Sequence, residues 1–142
     1  MCKHEQIVVD SRLETLFKVQ SWFNQLYSSL ESDLNWVKDS GDRLNIAVAE
    51  GFTNAVRHAH ARLPSETPIA IDVSLKDDRI DIHIWDYGAP FDPNQIPEPE
   101  PGSLLSEGGY GWFLLRRVVD QVTYRRQGCR NCLTISHHKP TP

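Results

Sequence analysis

Cysteine is scarce in this 142-residue chain, with three in all, and methionine occurs once. Three thiols are an odd number and too few to staple a small secreted scaffold, so a hydrophobic core must hold the fold and the thiols are expected to be reduced. Long apolar runs are missing too. No stretch approaches the ~20 residues that a membrane-spanning helix needs, and Met1 to Val9 lacks the apolar run of a secretory leader. Nor is there an excess of positive charge: 15 Lys and Arg against 19 Asp and Glu leave a net charge of −4. That balance excludes the global positive field that draws a protein to nucleic acid or anionic lipid. What is present is ordinary for a compact fold, with 39% apolar and 24% charged residues. The expectation is a single domain over 1–142, cytoplasmic, with no direct nucleic-acid contact and no membrane.

The front of the chain reads helical. After a short apolar run, Ile7 to Val9, the pair Asp10 and Ser11 has the chemistry of a helix cap. Leu13, Leu16, Phe17, Phe23, Leu26, Tyr27 and Leu30 then recur at three- and four-residue steps. A second helix is expected from about Asp42 to Ala61, stopped by Pro64. Ile69, Ile71, Val73 and Leu75 alternate with smaller or polar residues, and the alternation resumes in Ile80, Ile82 and Ile84 after Lys76-Asp77-Asp78-Arg79. Period two around an acidic turn is a β-hairpin. From Tyr87 to Glu107 no period survives, and five prolines crowd between Pro90 and Pro101. A loop of that length inside a compact domain is usually functional or mobile. One more helix follows over Trp112 to Asp120, and Val122 to Arg126 and Leu133 to His137 read as two strands around Gly128. Grouped hairpins predict an α+β fold: a two-layer sandwich with helices on one face of a mixed, mainly antiparallel sheet.

Three segments carry chemistry. On the second helix, Glu50 is the only ionisable residue between Arg43 and Arg57. Glu50, Asn54 and His58 share one stripe, opposite Val48, Phe52, Ala55 and Ala59. A carboxylate and an amide oxygen four residues apart suit a proton acceptor and a hard cation such as Mg²⁺, though a solvated helix face has the same pattern. Next, Ile84-Trp85-Asp86-Tyr87-Gly88 ends a strand in an Asp that can accept a hydrogen bond from an amino group such as that of adenine; Asp-x-Gly is also an ordinary turn. Finally, Glu107-Gly108-Gly109-Tyr110-Gly111 leads into a helix, where backbone N–H groups can meet an oxyanion, or where the glycines can serve as a hinge. The spacing matches neither a dinucleotide fingerprint nor a P-loop.

In this order the three segments resemble the asparagine box and the two glycine boxes of the GHKL ATPases, the superfamily of DNA gyrase, histidine kinases and mismatch-repair proteins. Ala49-Glu50-Gly51-Phe52-Thr53-Asn54-Ala55-Val56-Arg57-His58-Ala59, Asp86-Tyr87-Gly88-Ala89-Pro90-Phe91-Asp92-Pro93 and Glu107-Gly108-Gly109-Tyr110-Gly111-Trp112-Phe113-Leu114-Leu115 are more narrowly similar to the small anti-sigma regulatory factors. Those are serine/threonine kinases of bacterial partner switching. Neither a phosphoacceptor-helix domain nor a transducer domain is expected in the chain. The resemblance implies the Bergerat, or histidine-kinase-like ATPase, fold, with ATP and Mg²⁺ as ligands. It implies that Asn54 holds Mg²⁺, that Asp86 receives the adenine amino group and that Gly88 opens space for the base. Gly109 and Gly111 would shape the lid over the phosphates, and Glu50 would be the general base for a protein serine. It further implies a STAS-domain anti-anti-sigma protein and a sigma factor as partners, and a homodimer formed through the sheet and the amino-terminal helix.

The sequence departs from that pattern by placing Tyr110 and Trp112 in the lid. Thr134 is the nearest candidate for a hydroxyl on the last strand in the base pocket, with its register open. Two readings of other classes stand beside the kinase: a nucleotide-gated binding module without turnover, and a thiol or zinc regulator built on Cys129-Arg130-Asn131-Cys132 with His137 and His138.

Overall fold

The computed structural model describes residues 3–90 and 110–141. The elements run β1 (Lys3–Asp10), α1 (Leu16–Ser28), α2 (Asn35–Asp39), α3 (Gly41–Asn54), β2 (Pro68–Leu75), β3 (Arg79–Asp86), α4 (Tyr110–Val118), β4 (Gln121–Gln127) and β5 (Arg130–His138). The five strands form one sheet in the order β1-β2-β3-β5-β4, and each described pairing is antiparallel. The expected α+β sandwich is therefore present, without a parallel pairing among the described residues.

Period two decides which side chains meet the helices. Across the strands, Ile7, Ile71, Ile84, Leu133 and Tyr124 are register partners in one row, and Val73, Ile82, Ile135 and Val122 in the next. These rows face inward: Ile71, Ile82 and Ile135 are completely buried. Each such side chain contributes about 1.5–3 kcal/mol by leaving water. The matching layer from the helices is Val19 and Phe23 of α1 and Leu44, Ala47, Val48 and Phe52 of α3. Gly51 lets α3 sit close to the sheet, because a Cβ there would lie 2.6 Å from Ile84 Cδ1 and 3.0 Å from Leu133 Cδ2.

The first helix differs from expectation in two ways. β1 runs on through Asp10, a 3₁₀ turn fills Leu13–Thr15, and α1 starts at Leu16 with no side-chain cap. Ser11 instead bonds to His60. The three- and four-residue spacing puts Phe17 on the buried stripe, but the side chain is 80% exposed. The stripe centres on Val19, Phe23, Leu26 and Tyr27, and at about 100° per residue Phe17 stands roughly opposite Val19.

The second helix also changes pitch. α3 gives way to a π turn over Ala55–Ala59, closed by the His60 N–H donating to the Ala55 carbonyl at 2.8 Å. Such turns insert an extra residue and cluster at functional sites.

The β4-β5 hairpin turns on Gly128, at φ +61° with no atom within 4 Å of an added Cβ. The left-handed backbone alone penalises a side chain there. Gly128→Ala should lower the unfolding free energy by about 1–2 kcal/mol in a urea titration; an unchanged midpoint would contradict that account.

Candidate functional site

The inward alternation of β3 runs Ile80, Ile82, Ile84 and then Asp86, which is only 3% exposed. A carboxylate placed there costs several kcal/mol unless its oxygens find donors. They do. Oδ1 accepts the Gly88 N–H at 2.9 Å and the Asn131 side-chain amide at 2.8 Å, and Oδ2 accepts the Tyr124 hydroxyl at 3.0 Å. Strand register explains why these groups are available: Asp86 lies opposite Asn131, which lies opposite Arg126, one row beyond Tyr124. The Arg126 guanidinium donates to the Gly88 carbonyl at 2.7 Å and to Asn131 Oδ1 at 3.2 Å. The Asn131 amide also reaches the Gly88 and Ala89 carbonyls, both at 3.2 Å. The backbone leaving β3 is thus tied to the last hairpin.

The π turn secures the same backbone from the other side. His60 is buried, and its Nε2 accepts the Tyr87 N–H at 2.8 Å. The remaining proton must then be on Nδ1, which donates to Ser11 Oγ at 3.1 Å. Burial holds the His60 pKa below its ordinary value, with Asp86 acting in the opposite direction. A Cβ on Gly88 would lie 2.5 Å from the Ala59 carbonyl oxygen, so the space its missing side chain leaves is taken up by that backbone.

Between the π turn and the sheet lies a cavity of about 600 Å³. Its wall includes Gly51, Asn54 and Ala55 from α3 and the π turn, Ile84, Asp86 and Gly88 from the end of β3, and Tyr124 and Leu133 from the last hairpin. Three of the residues singled out in the sequence, Asn54, Asp86 and Gly88, therefore share one cavity. His58 lines it too, as an exposed side chain. Glu50 is half-buried one turn before Asn54 but is not part of the wall. Burial raises its carboxyl pKa, and Arg57 partly offsets this. Gly111 falls in the first turn of α4, which begins two residues earlier than expected. Gly109, the rest of the glycine segment before Tyr110, and the proline cluster from Pro93 to Pro101 lie outside the described residues.

Thr134 is on the other face of the sheet, where its hydroxyl meets His83 Nδ1 at 3.0 Å. Alternation decides this: Leu133 faces the helices, so Thr134 cannot. The hydroxyl in the cavity comes instead from Tyr124. Cys132 shares the outer face with Thr134, whereas His137 points inward to Ser40. The proposed cysteine and histidine ligands are therefore split between two faces, and no three such groups gather among the described residues. Sequence reasoning missed Tyr124, Asn131, Arg126 and His60. The first three carried a signal, since period two along β4 and β5 assigns them the same face as Leu133.

The cavity combines apolar walls with one buried, oriented acceptor at one end and an amide oxygen on the helix side. This suits a flat heteroaromatic ring bearing an amino group, with polar substituents running toward Asn54.

Comparison with known proteins fits this geometry. The model of the histidine kinase-like ATPase domain matches residues 9–137. The chain belongs to that family. Among curated relatives, the serine-protein kinase RsbW of Oceanobacillus iheyensis is 34% identical over 107 residues, covering 70% of this chain and 67% of the relative. RsbW of Staphylococcus epidermidis is 31% identical over 131 residues, covering 87% and 82%. The serine/threonine-protein kinase BtrW of Bordetella bronchiseptica is 33% identical over 100 residues, covering 67% and 68%. Within the family the chain groups with these serine kinases. A solved structure of the RsbU and RsbW domains of Rv1364c from Mycobacterium tuberculosis has the same fold, with a TM-score of 0.66 at 15% identity. That alignment covers 99% of this chain and 33% of the other. Among the described residues no helix is long and apolar enough to cross a membrane.

Two stability tests follow from the site. Gly88→Ala forces a side chain against the Ala59 backbone and should cost about 1–3 kcal/mol in urea unfolding; wild-type stability would show that the strand exit is not pinned there. The second concerns pH. His60 and His137 both have pKa values lowered by burial, so each contributes its full stability above about pH 6.5 and loses it as pH falls through the lower folded-state value. The thermal midpoint should therefore drop between about pH 7.5 and about pH 5.5, and the drop should be smaller in His60→Gln. Equal pH slopes in the two proteins would remove His60 from the account.

Proposed function

We propose that this chain is an ATP- and Mg²⁺-dependent protein serine/threonine kinase that acts as an anti-sigma regulatory factor. In this reading it phosphorylates a STAS-domain anti-anti-sigma protein and otherwise holds a sigma factor, working as a homodimer in the cytoplasm. The observation that carries the reading is the meeting of Asn54, Asp86 and Gly88 around one cavity of nucleotide size. Asp86 receives the adenine amino group, and the apolar faces of Ile84 and Leu133 flank the ring. Asn54 would hold Mg²⁺. A single amide oxygen suits that ion, which keeps several waters and completes its shell with phosphate oxygens. When bound, Mg²⁺ supplies charge neutralisation between the phosphates.

Gly109 and Gly111 would shape the lid over the phosphates and offer backbone N–H groups to them. Glu50 takes the proton of the attacking serine hydroxyl. A carboxylate whose pKa is raised by burial has more affinity for that proton than one in water. The serine oxygen bonds to the γ-phosphorus as the bond from that phosphorus to the bridging oxygen breaks, and ADP is the leaving group.

One observation favours a second reading. Glu50 stands outside the cavity wall, as it would in a nucleotide-gated binding module with no turnover. Label transfer from γ-labelled ATP to a STAS-domain substrate separates the two. The kinase reading expects Glu50→Gln to keep nucleotide affinity while losing about 10² to 10⁴-fold in transfer. Asn54→Ala should weaken binding of the Mg²⁺ nucleotide itself. Binding without any transfer by the wild type would favour the module, and wild-type behaviour in both variants would overturn the assigned roles.

A further inference from the structure

The two oxygens of Asp86 are not equivalent. Oδ1 already accepts two donors, the Gly88 N–H and the Asn131 amide. Oδ2 accepts the Tyr124 hydroxyl, 3.0 Å away, and both side chains line the cavity. The oxygen left to take a ligand's amino group is therefore Oδ2, and a phenol stands beside it. The phenol is a donor at any physiological pH, because burial first and the Asp86 charge second raise its pKa above the ordinary value. This end of the cavity thus presents an acceptor and a donor side by side. Adenine carries the complement on one edge, an amino donor next to the ring acceptor N1. Guanine, at the same two ring positions, carries an acceptor next to an N–H.

We propose that Tyr124 is a specificity-determining residue for the base, reading the ring nitrogen N1 next to the amino group that Asp86 accepts. The inference rests on the adenine reading of the cavity and assigns it a second contact. On binding, the Tyr124 hydroxyl turns its proton from Asp86 Oδ2 to N1, and the amino group of the base takes the vacated position on Oδ2. No group changes ionisation, and Asp86 keeps three donors throughout. Tyr124 holds this place because β4 alternation points it inward in the row of Leu133 and Ile84. Thr134, one residue out of phase with Leu133, cannot.

The test is calorimetric titration of the full chain with ATP and with 1-deaza-ATP, in which a carbon replaces N1, in the presence of Mg²⁺. Wild-type protein should prefer ATP by about 5- to 10-fold, the worth of one hydrogen bond. Tyr124→Phe should bring the two ligands to within about twofold of each other, because the group that senses N1 is gone. A merely structural role for Tyr124 would weaken both ligands alike and leave their ratio unchanged. Equal affinities in the wild type, or a preserved preference in Tyr124→Phe, would overturn the proposal. The wild-type comparison needs no substitution, so it decides even if the variant does not fold. A wild type that binds neither nucleotide fails at an earlier point, by removing the adenine reading itself.

Discussion

A carboxylate at the end of a buried strand must be met by donors or be expelled, and the requirement to hold Asp86 organises this site. Its partners come from three places: the backbone two residues on, β5 and β4. The last two are in reach because the strand order sets β5 between β3 and β4. Arg126 and Asn131 then fix the carbonyls of the same turn, and His60 fixes its Tyr87 N–H from the helix side. Substituting Asn131 or Tyr124 removes a donor from the buried Asp86 carboxylate, where an unmet hydrogen bond costs about 1–3 kcal/mol, and substituting His60 removes the acceptor of the Tyr87 N–H.

The Asp86 end of the cavity is thus tied to both the last hairpin and the helix side. Strands supply Ile84, Asp86, Tyr124 and Leu133, and α3 is drawn onto them by Gly51 and continues into the π turn that Gly88 allows to approach. The catalytic and cation-binding candidates sit on the helix, one turn apart. In the proposed reading such an arrangement separates recognition of the ring from handling of the phosphates.

Much of this was legible in the residues. Alternation locates both hairpins, the lone acid marks α3, and residue type and spacing mark Asn54, Asp86 and Gly88, which share one cavity. What was not legible depended on pairing rather than on local pattern. Nothing in β5 alone says that Asn131 lies opposite Asp86, because that follows from which strands become neighbours. The open register of Thr134 had the same source: one residue of phase moves a side chain to the opposite face. Phe17 fooled the helical periodicity because the buried stripe is set by what packs on α1, and His60 escaped notice because a π turn breaks the uniform 100° step.

The central claim is that Asp86 Oδ2 is the acceptor for the ligand's amino group, and Asp86→Asn addresses it most directly. An amide keeps an oxygen for Gly88 and Asn131, and its NH₂ can donate to the Tyr124 oxygen, so the fold should survive while the acceptor becomes a donor. Calorimetry with Mg·ATP should then find binding lost in a variant whose circular dichroism matches the wild type. Retention of wild-type affinity by that folded variant would contradict the account.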